Sequence, residues 1–181
     1  FCYIDFASCI FRNNYSVTNA TVLYHGGGYY QQYNRGSQIN CLFYNNTSVN
    51  AASAIQCINS TYDPLNNANV WAAARINVVN STFTENTGFN SKVIKVTLGD
   101  NIAIFVRNSI VYNNGSTSPF ESDGFGGGVG TQNTITTNPL FIDAPNDNFR
   151  LSCNSIARDA GNNPYISPYT TDLDGLTRIN N

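Results

Sequence analysis

Acid–base chemistry on a glycoside or an acidic sugar needs paired carboxylates, or a base beside a neutralising group. This chain is poor in both. Its 181 residues hold 11 acids, 9 Lys plus Arg and one His, and no two Asp are adjacent. His25 stands in "YHGGGYY", which reads as a loop. Lys92 and Lys95 read as flanking an outward strand face with no acid nearby. These residues assemble neither a hydrolase nor a lyase site, so the expectation is a protein without catalytic activity.

Metal chemistry finds few ligands either. The five Cys include no C-x-x-C pair, which argues against zinc. "DAPNDN" (143–148) and "TTDLDGL" (170–176) space oxygen ligands two apart, as calcium loops do, but lack the fuller acidic set and a closing Glu. Turn capping is the plainer reading, with Asp172, Asp174 and Arg178 tied locally. Calcium near Asp172 and Asp174 is the lesser alternative, and no other cofactor is expected. Cys9 and Cys41 would stand in one column within disulfide reach, with a reduced stack as the alternative. An odd Cys count leaves at least one thiol unpaired.

The elements that would position these groups repeat along the chain. "ASCIFRNN" (7–14), "INCLFYNN" (39–46), "VNSTFTEN" (79–86) and "RNSIVYNN" (107–114) align with one another. The alignment puts Phe11, Phe43, Phe83 and Val111 in one column. It puts Cys9, Cys41, Ser81 and Ser109 in a second, and Asn14, Asn46, Asn86 and Asn114 in a third. Small and large apolar residues alternate, which is the period of strands. Two further short apolar runs follow each phrase, as in "AIQCI" (54–58) and "ARINVV" (74–79). An irregular period of some thirty residues means stacked units with variable loops. Three strands per repeat and no helical period predict an all-β, right-handed parallel β-helix of about four to five coils over residues 1–137. An irregular C-terminal segment, 138–181, closes the same domain. Asn is abundant, 29 of 181 residues, and suits this design twice. It tolerates left-handed turns, and stacked copies form amide ladders.

The tail "TNPLFIDAPNDNFRLSCNSIARDAGNN…TDLDGLTR" (137–178) resembles the closing segment of bacterial right-handed parallel β-helix surface proteins. The "NCxFxNN"-like phrases resemble the repeats of polymorphic outer-membrane proteins within the pectate-lyase-like superfamily. The resemblance implies an extracellular or cell-surface location. It implies a structural or adhesive role, as a candidate subunit of a surface fibre. Carbohydrate binding or polysaccharide cleavage is the alternative.

Net charge is −2 and charged residues are 11%, so neither nucleic acid nor an anionic membrane is an expected partner. No apolar run reaches the length of a membrane span. The expected partners are other copies of the chain, a neighbouring surface protein, or carbohydrate. The segments 24–36 and 60–74 read as loops from one edge. They carry Tyr29, Tyr30, Tyr33, Tyr62 and Trp71, an aromatic set suited to binding. Of the seven glycosylation sequons (Asn14, Asn19, Asn45, Asn46, Asn59, Asn80, Asn114), Asn19 and Asn59 are the expected acceptors, because a glycan in the ladder would break its stacking. The chain opens at Phe1 in strand-like sequence, which reads as a processed or excised product. An uncovered strand edge there invites head-to-tail filament growth.

Overall fold

Each repeat phrase joins two strands through a two-residue corner and ends in a second corner of two residues. In the second phrase, Asn34–Ile39 leads through Asn40 (φ 58°) into Leu42–Tyr44, then through Asn45 (φ 52°) into Thr47–Ser48. The computed structural model describes residues 2–26, 34–58, 60–63, 68–71, 74–97, 102–122, 127–166 and 169–178. They are mostly β, and the only helical elements among them are three single turns: Phe89–Ser91, Ala144–Asn146 and Asn163–Tyr165.

Three parallel sheets carry the architecture. The first orders Cys2–Ala7, Asn34–Ile39, Ala74–Val79, Ile102–Arg107 and Gly128–Gln132 side by side. The second orders Ile10–Arg12, Leu42–Tyr44, Thr82–Thr84 and Ile110–Tyr112. The third orders Leu23–Gly26, Ile55–Ile58, Ile94–Thr97 and Phe120–Ser122. The chain visits first, second and third sheet in turn, four times, then re-enters the first. Ile135 bridges to Ile110, so a fifth round begins on the second sheet as well.

Alternation along these strands sends one set of side chains inward. Phe11, Phe43, Phe83 and Val111 pair in register, as the aligned phrases require. Phe43 and Phe83 are fully buried and stack 4.4 Å apart, nearly parallel. Phe11 caps the stack 4.9 Å from Phe43 and is only half-buried. Ile76, Val78, Ile104 and Val106 of the first sheet and Ile55, Cys57, Ile94 and Val96 of the third complete the core, all at 0% exposure.

Two Asn functions assigned to one column turn out to occupy different columns. Positive φ falls on Ser8, Asn40, Asn80, Asn108 and Asn133 at the first corner, and on Asn13, Asn45, Glu85 and Asn113 at the second. The ladder residues Asn14, Asn46, Asn86 and Asn114 follow one position later, without positive φ. There the Nδ2 of Asn14 donates to Asn46 Oδ1 (2.8 Å), Asn46 to Asn86 (2.9 Å) and Asn86 to Asn114 (3.0 Å). The corner needs a residue at ease in the left-handed region. The ladder needs an amide that both donates and accepts.

Three further expectations change. His25 lies in the strand Leu23–Gly26, in register with Cys57, not in a loop. The stretch 60–74 is not a plain loop, because Ser60–Asp63 and Ala68–Trp71 pair as an antiparallel ribbon. Lys95 has an acid close by: its Nζ lies 2.8 Å from Glu121 Oε1, the residue beside it in register.

The C-terminal segment folds back on the corners. A hairpin, Phe141–Asp143 with Asn148–Leu151, sets Phe149 against Tyr44 at 5.0 Å. Farther on, Asn108 and Asn162 exchange two bonds, Asn108 Nδ2 to Asn162 O and Asn162 N–H to Asn108 Oδ1. Asn40 Nδ2 donates to Thr171 O, and the guanidinium of Arg178 bonds Asn40 Oδ1.

Candidate binding face

The outward positions of the first sheet form three columns. Tyr3, Arg35, Arg75 and Ala103 are in register. Asp5, Ser37, Asn77, Phe105 and Gly130 make the second column. Ala7, Ile39, Val79, Arg107 and Gln132 make the third.

Arg107 is the best-held group on this face. Its guanidinium lies 4.6 Å from the Phe105 ring centre and 5.1 Å from that of Tyr165, so both aromatic rings attract it. Its Nη1 donates to Asn77 Oδ1 (3.1 Å) and its Nε to Gln132 Oε1 (2.9 Å). Tyr165 also donates its hydroxyl to Gln132 Oε1 (3.0 Å). Arg75 lies 5.6 Å from the Phe105 ring centre. Three strands and the C-terminal segment thus fix one planar cation, which reduces the rotamer entropy it would lose on binding.

Charge on the face is one-sided. Arg35 and Arg75 are exposed neighbours in register, and like charges placed so repel. The one acid in the three columns, Asp5, accepts a 2.7 Å bond from Ser37 Oγ. The face is cationic although the chain is net acidic. The rings of Phe105 and Tyr165 are already engaged by guanidinium groups, so they are poorly placed to stack on a neutral sugar.

The aromatic set expected from sequence divides. Tyr29, Tyr30 and Tyr33 lie outside the described residues. Tyr62 and Trp71 lie on the two strands of the antiparallel ribbon, opposite Asn69 and Ser60 respectively. Sequence reading missed Arg35, Arg75, Asn77, Phe105, Arg107, Gln132 and Tyr165. The signal lay in the alternate positions of "NRGSQI", "ARINVV" and "IAIFVR", once these are set in register.

No family model, curated protein or solved structure matches this chain.

Other candidate positions resolve individually. Cys9 and Cys41 are free thiols and form no disulfide. Cys41 Sγ donates to Ile39 O at 3.4 Å, and Cys9 Sγ to Ala7 O at 3.3 Å. Burial pushes the Cys41 thiol up to about 11, against the lowering effect of a backbone hydrogen bond at Cys9, and pushes Cys57 up to about 12. Both are therefore poor nucleophiles at neutral pH. Asn19 is exposed, while Asn59 lies outside the described residues. Asn46 and Asn114, also in sequons, are buried in the ladder.

Asp172 and Asp174 are engaged within the protein. Asp172 Oδ1 accepts from the backbone N–H groups of Asp174 and Leu176. Asp174 forms a two-oxygen ion pair with Arg150, at 2.8 and 2.6 Å, and not with Arg178. Among the described residues no group of three or more His, Cys, Asp or Glu gathers to hold a metal ion, and no helix is long and apolar enough to cross a membrane.

Proposed function

We propose that this chain is a right-handed parallel β-helix module of the cell exterior. Its role is non-catalytic, structural or adhesive, and it acts by presenting the first-sheet face to a partner. Support for the solenoid is the cyclic order in which the chain visits three parallel sheets. Connections between parallel strands of one sheet are right-handed in nearly all proteins. The surface-protein reading draws on the closing segment and the repeated phrases.

The observation that carries the binding role is Arg107, held between Phe105 and Tyr165 and bonded to Asn77 and Gln132. Stabilising a sheet does not require three arginines on one face with a single acid. Recognition of an anionic partner uses that arrangement directly.

Carbohydrate binding or cleavage is the second reading, favoured by the same cationic face and by the pectate-lyase-like resemblance. Glycan-array binding beside a reducing-sugar assay separates the two. Retention of charged glycans with no release of reducing ends supports a binding module. Turnover that disappears in Arg107→Ala makes the protein an enzyme. The adhesive reading fails if no partner, glycan or protein, distinguishes wild type from a variant carrying Arg35→Glu and Arg75→Glu.

A further inference from the structure

Cys9, Cys41, Ser81 and Ser109 share one position, the second residue of the first corner. All four hold their side chains alike. Each donates to the carbonyl two residues back: Cys9 Sγ to Ala7 O (3.3 Å), Cys41 Sγ to Ile39 O (3.4 Å), Ser81 Oγ to Val79 O (3.0 Å) and Ser109 Oγ to Arg107 O (2.7 Å). The backbone repeats in the same way. The N–H of Cys41 donates to Ser81 Oγ and that of Ser81 to Ser109 Oγ, both at 3.1 Å. Ile10 and Leu42, the next residues after the two Cys, pair in register. Equal side-chain geometry on adjacent parallel strands separates equivalent atoms by one strand spacing, so the two sulfurs stand about 4.8 Å apart.

That separation selects what can join them. A disulfide needs about 2.05 Å, so both sulfurs would have to swing together and abandon their carbonyl partners. Two metal–thiolate bonds of about 2.3 Å each, set in line, span about 4.6 Å. An ion held by two ligands in line therefore fits the pair without a change of rotamer. Zinc asks for four ligands, and among the described residues no group of three or more His, Cys, Asp or Glu gathers. Soft thiolates select copper(I), whose filled d shell accepts a linear pair.

We propose that Cys9 and Cys41 are the ligands of a two-coordinate copper(I) site that joins the first and second rounds. Both thiols lose a proton, two S–Cu bonds form, and the copper stays univalent. The resulting thiolate–copper–thiolate unit carries one negative charge. The backbone N–H of Cys9 bonds the Cys41 sulfur and serves as a donor to that charge. Cys41 is buried and Cys9 only half-buried, so the ion enters from the side of Cys9. The site is separate from the first-sheet face and does not rest on its role.

Titration of the reduced 181-residue protein with copper(I) under argon, against a chromophoric copper(I) chelator, tests this. The expected result is one copper(I) withdrawn from the chelator per chain. Release of two protons makes the affinity, corrected for protonation of the chelator, climb about 100-fold per pH unit between pH 6 and 8. Cys9→Ser and Cys41→Ser are each expected to weaken binding at least 100-fold. Cys153→Ser, at an exposed thiol of the tail, is expected to leave it unchanged. Both column variants are expected to fold, because Ser81 and Ser109 already fill this position in later rounds. If either loses the native circular dichroism spectrum, copper K-edge absorption of the wild type decides. Two sulfur neighbours with no nitrogen or oxygen sustain the site, and any higher coordination number overturns it. The proposal is also overturned if no copper is withdrawn, if the pH slope reports a single proton, if binding survives in both column variants, or if it is lost in Cys153→Ser.

Discussion

Asn46 and Asn86 are joined twice. The Nδ2 of Asn46 reaches Asn86 Oδ1 at 2.9 Å, and its backbone N–H reaches the same oxygen at 3.1 Å. Asn86 in turn donates to Phe43 O and Thr84 O of the surrounding strands. Both residues are fully buried. The pair sews two rounds together where no water can replace a lost bond, so each partner left unpaired has a large cost.

Replacing Asn86 with Leu should therefore destabilise the protein by about 3 kcal/mol, since it strips partners from Asn46, Phe43 and Thr84 at once. Asn14→Leu, at the exposed end of the same ladder, should cost about 1 kcal/mol or less. Urea denaturation of both variants checks the ranking. Equal losses at the two positions would mean that the buried ladder does not stabilise as described.

Gly88 should tolerate no side chain. A Cβ there would sit 1.9 Å from the Lys92 carbonyl oxygen and 2.8 Å from the Ser53 nitrogen. Both are backbone atoms, and Ser53 N–H donates to Lys92 O across the same spot. Gly88→Ala should cost about 3 kcal/mol, the upper range for forced overpacking. A melting temperature within two or three degrees of wild type would refute the close approach.

Glu85 occupies a left-handed corner where its column otherwise carries Asn13, Asn45 and Asn113. Its carboxyl is raised above its ordinary value, first by burial and then by Asp147 of the tail hairpin. A raised carboxyl binds its proton more tightly folded than unfolded. It therefore weakens the fold as pH climbs through the ordinary carboxylate range, and the penalty is complete at neutral pH. Glu85→Asn should stabilise at pH 7 by about 0.5–1 kcal/mol, removing the charge and easing the corner. The gain should shrink near pH 4. Paired urea titrations at the two pH values are the measurement, and a gain unchanged by pH would remove the electrostatic part.

Thiol reactivity should sort by burial. Cys153 is exposed and should be alkylated readily near pH 8. Cys41 and Cys57, with thiols up at about 11 and about 12, should resist until the protein unfolds. Both favour the protonated form when folded, so stability should fall as pH rises from about 9, the ordinary thiol value, towards those two values. Mass spectrometry after iodoacetamide treatment reads the first outcome and alkaline melting curves the second. Rapid native labelling of Cys57 would contradict its place in the core.

Much of the fold was legible because alternation and repetition are local signals. The column of Phe11, Phe43, Phe83 and Val111 needed only the four phrases set above one another, and the strands followed from it. Corners were harder. In Asn13–Asn14 and Asn45–Asn46, adjacent identical residues do different jobs, and spacing alone cannot say which one turns the chain. The count of four to five coils stayed open because no fifth phrase marks the round that Gly128–Gln132 begins. Lys95 and Glu121 meet because the third sheet sets them in register across a connection of unpredictable length. The same reason hid Arg107 from Asn77 and Tyr165. Sequence periodicity names the faces of a strand, whereas contacts between strands depend on how many residues each connection spends.

Both corners fall inside the eight-residue phrase, and the long connections fall outside it. A whole round is therefore a unit that heredity can copy or drop. Unequal crossover between any two phrases would add or remove one complete round and leave every remaining Phe, Asn and corner in step. A single inserted codon between Ile39 and Asn46 would instead turn each following side chain to the wrong face. Natural length variants of this protein are expected to differ by entire rounds or by the stretches between phrases. Within a phrase, the register of the strands leaves no room for an inserted or deleted residue.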